Sequence, residues 1–380
     1  MWFAGFLCFG GLAFLFEGNP KEGCRTCLLY TSKGGGGVAS WLLTALASIF
    51  VFGIVIFIHE LGHFLTAKFS GITVEEFAIG MGPTLFRFKR KGTVYAIRLL
   101  PIGGFVSMEG EDEESDDEGS FTKAPVGNRI LVTVAGACMN LILGFLVLIV
   151  VVSMESSIVS RTVAEFYPNA STQQHGLQVG DTILAVNGRR CFVANDVSYE
   201  FARTQEGTAD LTVLRNGEKI TLEDVVFETA EQDGQQYLVI DFKVYPIEKT
   251  VVNVLKEAGN WTLSLARMVI LSFTDLVTGR IAVNNLSGPV GIVSAIGQAS
   301  SLGLRPLLLL LALITINLGI FNLLPVPALD GGRLAFLILE AIRRKPIQQK
   351  YEIAVNAAGF VLLIGLMIFA TFNDITKLLP

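Results

Sequence analysis

The sequence predicts a polytopic α-helical membrane protein of about four transmembrane helices, with one globular domain inserted between the second and third. Three observations carry this. The chain is 51% hydrophobic and only 17% charged, which excludes an ordinary soluble protein and a disordered one. Its apolar residues gather into four runs, Trp41–Ile58, Ile130–Val152, Pro306–Leu324 and Ile353–Phe372. Each is close to the ~20 residues that a helix needs to cross the hydrocarbon core. Between the second and third runs, Glu155–Pro246 has mixed polar composition. The net charge of −5 is small and comes partly from the cluster Glu109–Glu118. Nothing points to nucleic acid.

Residues 1–38 form an atypical N-terminal segment. Trp2–Phe16 is apolar and reads as a signal peptide or an extra span, but no basic region precedes it, which counts against a signal peptide. Cys27-Leu-Leu-Tyr-Thr-Ser32 is the peptide that a widely used sequencing-library adapter encodes in one frame. Residues up to about Ser32 are therefore expected to be an assembly artefact, outside the functional argument. The cysteines are uninformative: Cys138 falls in a span, Cys191 in the globular insert, and Cys24-x-x-Cys27 is a single weak pair.

The first run ends in His59-Glu60-Leu61-Gly62-His63. Two histidines at i and i+4 lie on one helix face. Both imidazoles can then reach one zinc ion, with the intervening Glu60 beside the metal as general base. An ionisable residue at the centre of a span costs ~2.5–3.5 kcal/mol on the translocon scale, so these residues need a reason to be there.

The connection after the first span carries Lys68, Arg87, Lys89, Arg90, Lys91 and Arg98. The connection between spans three and four carries Arg333, Arg343, Arg344, Lys345 and Lys350. Short basic loops stay in the cytoplasm, so both connections are cytoplasmic and the insert is outside. The acidic residues Glu111–Glu118 do not change this and read as a solvated loop. Leu255–Val277 is apolar but contains Lys256, Glu257, Arg267 and Asp275. It reads as an amphipathic helix at the outer surface.

A catalytic zinc site usually has three protein ligands and one open position. The chain has three histidines, and His175 lies in the exterior insert as a surface loop residue. The third ligand is then a carboxylate or thiol on another segment. Asp330 is the acid closest to the inner end of the third span, which runs in the same direction as the first. The alternative is that Asp330 caps the next helix at the water surface. Pro325 and Pro327 break the helix before it. Broken backbone at membrane depth is tolerated where it lines a cavity, although a simple helix end with a tight turn reads the same way.

From about Trp41 to Lys377 the chain resembles the site-2 protease family of intramembrane zinc metalloproteases, in the bacterial RseP/RasP-like group with an exterior PDZ domain. Phe57–Lys68 looks like the family's first motif. Asn322-Leu-Leu-Pro-Val-Pro-Ala-Leu-Asp-Gly331 matches its second, N-x-x-P-x-P-x-L-D-G, at every defined position. The resemblance implies that His59, His63 and Asp330 bind Zn2+, that Glu60 activates water, and that Asn322 holds substrate or the oxyanion. Phe77–Pro83, with Gly80 and Gly82, resembles the glycine-rich segment after the first span. Leu85–Lys89 and Thr93–Leu99 read as strands around Arg90-Lys91-Gly92, a β-hairpin by pattern. In the family such a sheet dips into the membrane and offers an edge to substrate. Gly136-Ala-Cys-Met-Asn140 sits where the family often has G-P-x-x-N. Ala137 replaces the proline, which puts the backbone kink in doubt. Asn140 is expected to join helices.

Gly176-Leu177-Gln-Val-Gly180-Asp181-Thr-Ile-Leu-Ala-Val-Asn187-Gly188 resembles the core of bacterial PDZ domains, with a hairpin at Leu211–Leu214 and Lys219–Leu222. The expected organisation is therefore 1–38 atypical; 39–154 two spans and the β-hairpin region; 155–246 an extracytoplasmic α+β PDZ domain; 247–305 amphipathic linker; 306–380 two spans. The resemblance implies peptide hydrolysis within a bacterial inner (cytoplasmic) membrane. The centre would lie toward the cytoplasm, surrounded by lipid, acting on single-span proteins such as anti-sigma factors or remnant signal peptides. Peptide ends are expected at the PDZ domain, whose alternative role is a size filter. Two rivals remain: a non-catalytic PDZ membrane adaptor that captures peptides, and a metal transporter, for which few further ionisable residues line the spans.

Overall fold

The structure, a computed structural model, describes residues 38–111, 115–204, 206–232, 235–279 and 287–378. The apolar run Trp2–Phe16, the pair Cys24 and Cys27, and residues 112–114 of the acidic cluster lie outside them. Among the described residues, four helices are long and apolar enough to cross a membrane: Ser40–Phe69, Val126–Met154, Leu304–Phe321 and Lys350–Thr376. The chain divides into two compact units, Met1–Val147 with Met268–Pro380, and Leu148–Arg267.

The first unit opens with α1 (Val38–Phe69), which ends at Gly71 in a left-handed conformation, φ 76°. The ribbon of β1 (Val74–Arg90) and β2 (Thr93–Met108) follows. Its tip is a two-residue turn, Lys91 and Gly92 at φ 47° and 84°, the mirror-image type that suits the twist of paired strands. The strands are longer than the pattern around Arg90-Lys91-Gly92 predicts. Glycines at 80 and 82 interrupt the alternation that reveals a strand, and they bend this one. Gly80 has φ 88°, and a Cβ there would lie 2.6 Å from the Leu100 carbonyl oxygen. Glu76–Ile79 pairs both with Gly104–Ser107 and with Val94–Ile97, so this part of β1 lies between two segments of β2.

Helix α2 (Val126–Met154) comes next in sequence. The first unit resumes after the insert with the end of α5 (Val251–Val277), then α6 (Pro289–Leu302), α7 (Leu304–Phe321), α8 (Asp330–Arg343) and α9 (Gln349–Leu378). α7 is buried over nearly the whole stretch Leu309–Gly319. By contrast α9 exposes Phe360, Val361, Leu362, Ile368 and Phe372. A helix that is apolar all round belongs in protein or in lipid; α7 has the first environment and α9 offers its surface to the second. α5 is not among the four spanning helices. Within the second unit its polar side meets protein: Ser264 donates to Asp196, and Arg267 donates to the Arg190 carbonyl and pairs with Asp196 and Glu200 at 3.6 Å.

The second unit contains β3 (Ile158–Phe166), α3 (Ser171–Gln174), β4 (Thr182–Val186), β5 (Arg189–Arg190) and α4 (Ala194–Arg203). Strands β6 (Thr208–Arg215), β7 (Glu218–Val226), β8 (Thr229–Gln232), β9 (Gln235–Leu238) and β10 (Phe242–Ile247) complete it. Its main sheet runs β10-β3-β4-β6-β7, with β5 beside β4. The predicted hairpin is β6–β7, turning at Asn216 and Gly217 with φ 50° and 87°. The motif residues 176–188 supply β4 and the turns on either side of it. Gly176 and Gly180 adopt φ 96° and 93°, Leu177 is core, and buried Asp181 accepts from Arg215 Nε at 2.8 Å and Nη2 at 2.7 Å. Asn187 Oδ1 accepts from the Asp210 amide at 2.9 Å, and Gly188 completes that turn at φ 73°. His175 is exposed, its ring nitrogen against the Ser171 carbonyl. Cys138 and Cys191 are both free thiols, and burial pushes the Cys191 thiol up to about 12, which leaves it unreactive.

Phe201 is fully buried in this unit and meets Phe227 with ring centroids 4.8 Å apart. Phe201→Ala is expected to destabilise the unit by about 3–5 kcal/mol. Hydrogen exchange on the full-length protein checks this: β4 and β6 amides should exchange faster while α1 is unchanged. Unaltered exchange in β4 and β6 rejects the packing account.

Candidate metal centre

Helix α1 carries His59, Glu60 and His63, all buried. It can bring imidazoles into the protein interior because α2 meets it at two glycines. A Cβ on Gly62 would lie 2.5 Å from the Ala135 carbonyl oxygen, so the two backbones touch there. A Cβ on Gly136 would lie 2.3 Å from His63 Nε2 and 2.8 Å from His59 Nε2. The ring ends occupy the space that a side chain at 136 would fill. His63 Nδ1 lies 2.8 Å from the Val132 carbonyl oxygen, also on α2.

Asp330 arrives from the other end of the sequence. α7 stops at Phe321, and Pro325 and Pro327 keep the chain from continuing as helix. Ala328 is left-handed, φ 66°, and its amide donates to Asn356 Oδ1 of α9 at 3.1 Å. α8 then starts at Asp330. A Cβ on Gly331 would lie 1.9 Å from the Leu324 carbonyl oxygen, and one on Gly332 would lie 2.6 Å from that of Val326. These glycines let the first turn of α8 press against the loop that precedes it. Ion pairs hold the helix further along. Arg129 of α2 binds Glu340 through both terminal nitrogens, and Arg333 binds Glu111 and lies 3.5 Å from Glu352.

The structure brings these three side chains to one point. Asp330 Oδ2 is 3.1 Å from His59 Nε2 and 3.4 Å from His63 Nε2, and the two Nε2 atoms are 3.1 Å apart. This is the group among the described residues whose donors could hold a metal ion. The distances test the fit. Bonds of about 2.0–2.1 Å to a tetrahedral zinc put neighbouring ligand atoms about 3.3 Å apart, which is the spacing seen. Asp330 Oδ2 is buried without a hydrogen-bond partner, an orphaned acceptor that a cation would satisfy. Two nitrogens and one carboxylate oxygen also make a zinc-type donor set.

Glu60 lies beside the cluster, about 100° round the helix from His59. Its neighbour is the β-ribbon: a Cβ on Gly104 of β2 would lie 3.0 Å from Glu60 Cγ. Asn322 is buried at the end of α7, and among the described residues no side-chain hydrogen bond ties it to the cluster. Gly80 and Gly82 bend the ribbon, and Pro325 and Pro327 shape the loop before Asp330. The Asn140 side chain, expected to join helices, reaches from α2 to His59 of α1. Its Nδ2 is 3.2 Å from His59 Nδ1, and the link from α2 to α7 is made by its backbone carbonyl, which accepts from Thr315 Oγ1 at 3.0 Å. Sequence reasoning gave no role to Gly62, Gly104 or Gly136. A small residue inside an apolar helix is a signal for close helix approach, but it does not name the partner.

The sequence profile described as peptidase family M50 matches residues 47–366. A relative in Clostridium perfringens, whose name also calls it a zinc metalloprotease, is 39% identical over 331 residues, covering 86% of this chain and 97% of its own. The regulator of sigma-W protease RasP of Bacillus subtilis is 32% identical over 419 residues, covering 88% of this chain and 99% of its own. The zinc metalloprotease RasP of Shouchella clausii matches to the same extent, 32% over 419 residues, with 88% and 99% covered.

Proposed function

The chain belongs to peptidase family M50, the zinc metalloendopeptidases of the site-2 protease type, and from that premise we propose that it cuts the membrane-spanning segments of single-span proteins. His59, His63 and Asp330 hold the zinc ion and Glu60 is the general base. The observation that carries this is the convergence of the three ligand atoms at 3.1–3.4 Å, with a fourth ionisable side chain next to them.

Bound zinc supplies a Lewis acid that polarises a carbonyl and lowers the pKa of water toward ~7. The protein's own groups do the rest. Glu60 takes a proton from the attacking water and delivers it to the departing amine nitrogen. Asn322 or a backbone N–H steadies the oxyanion. The ribbon holds the substrate extended, because an extended peptide can add to a strand edge by main-chain bonds, and β2 passes Glu60 at Gly104. The apolar spans keep bulk water from the reacting bond.

The basic residues of the α1–α2 connection and of residues 333–350 support a centre on the cytoplasmic side of a bacterial inner membrane, with the second unit outside. That unit is read as a PDZ domain that captures peptide ends along β10. β10 ends the sheet, and Pro246 within it suits an edge strand. The Bacillus subtilis relative is named for regulating sigma-W. This supports an anti-sigma factor as one substrate class, beside remnant signal peptides.

Zinc binding tests the ligand set. Chelator competition on purified protein should show affinity lowered at least tenfold in Asp330→Asn, because a neutral amide replaces a charged ligand. Equal affinity removes Asp330 from the site. If zinc-loaded protein cuts none of a panel of transmembrane substrates, the proposed substrate class is wrong.

A further inference from the structure

One close contact at the centre has no part in the chemistry so far: the Asn140 side chain against His59. Asn140 is completely buried in α2. Its Nδ2 lies 3.2 Å from His59 Nδ1, while its Oδ1 is buried with no hydrogen-bond partner. An imidazole that binds metal through Nε2 carries its proton on Nδ1. In this orientation of the amide, two donors then face each other across 3.2 Å and a buried acceptor is left empty. Rotating the carboxamide by 180° removes both faults at once. Amide oxygen and nitrogen are told apart by such partners alone. The second histidine has the matching arrangement, with its Nδ1 against the Val132 carbonyl. Val132 and Asn140 are about two turns apart on α2, and Gly136 between them is where the helix meets both rings.

We propose that Asn140 is a positioning residue of the metal centre: its side-chain oxygen accepts the Nδ1 proton of His59 and fixes the ring so that Nε2 faces Asp330. The inference rests on His59 being a metal ligand. One neighbour competes for the role, since the Gly136 carbonyl also lies against His59. The bond from Thr315 uses the Asn140 backbone, so joining α2 to α7 does not require this side chain.

The test uses full-length protein in detergent and reads metal affinity by chelator competition, together with the visible spectrum of the cobalt-substituted protein. Asn140→Leu keeps the bulk and removes the acceptor; affinity should fall roughly 10–100-fold, the usual effect of losing such a partner. Thr315→Val removes only the backbone link and should bind zinc as the wild type does. Asn140→Asp keeps an acceptor and strengthens it, so zinc binding persists and the cobalt spectrum shifts from that of the wild type.

Three results overturn the proposal. Asn140→Leu binding zinc like wild type means that the Gly136 carbonyl suffices. Thr315→Val weakening zinc as much as Asn140→Leu means that the residue acts by joining helices. An unshifted spectrum in Asn140→Asp means that the side chain does not touch His59, and this reading survives even if Asn140→Leu does not fold. Wild type that takes up no metal overturns the ligand assignment itself, a different failure from wild type and Asn140→Leu binding equally.

Discussion

Gly136→Ala is expected to leave the protein folded and to lower its zinc affinity by more than ~100-fold, beyond the 10–100-fold typical of losing an outer partner. The reason is position. The new Cβ would stand 2.3 Å from His63 Nε2 and 2.8 Å from His59 Nε2, inside van der Waals contact with both nitrogens. Those atoms end mobile side chains, so the rings can swing aside without moving a backbone. Swinging aside dismantles the cluster. Cleavage should vanish with the metal, while thermal unfolding in detergent stays near that of the wild type. Wild-type zinc affinity in Gly136→Ala would mean that the rings do not point at α2 as described. A large drop in unfolding temperature would mean instead that the helices, not the rings, move.

Glu60→Gln is expected to have the opposite signature: zinc retained, turnover lowered by roughly 10²–10⁴, the contribution of a positioned general acid–base group. Glutamine matches the shape of glutamate but cannot accept the proton from water. Glu60 is not among the clustered ligand atoms, so metal content should not change. Single-turnover cleavage of a model transmembrane substrate, alongside zinc analysis of the same preparation, separates the two effects. Turnover equal to the wild type would remove Glu60 from the chemistry. It would also revive the adaptor reading, in which peptide capture needs no carboxylate here.

The two variants divide the centre into a part that was legible in the sequence and a part that was not. The spacing of His59, Glu60 and His63 encodes one helix face, because a helix repeats locally. Asp330 emerged from counting histidines and following the direction of the spans. The spans themselves were legible as apolar runs, with most ends displaced by only a few residues. The apolar run Trp41–Ile58 stops where charge begins, but α1 continues to Phe69, since the ionisable residues sit within the helix. Asn140 and Gly136 were in plain view as residues, yet their partners were not. Which face of α2 meets α1, and at what register, depends on packing between segments that no local pattern records. The length of β1 and β2 was hidden by the glycines that bend them.

The three side chains that could hold a metal come from opposite ends of the described chain, and this sets an order in which they can meet. Asp330 leaves the ribosome long after His59, and until then the cluster lacks its third member. Even then the turn bearing Asp330 is incomplete. Its Ala328 amide is held by Asn356, and Gly359 packs on Pro327 so closely that a Cβ would lie 2.4 Å away. Both partners belong to α9, the last helix. Closing a loop of this length costs chain entropy that is recovered only when the late contacts form. The turn that carries Asp330 therefore has its full set of contacts only when the last helix is in place.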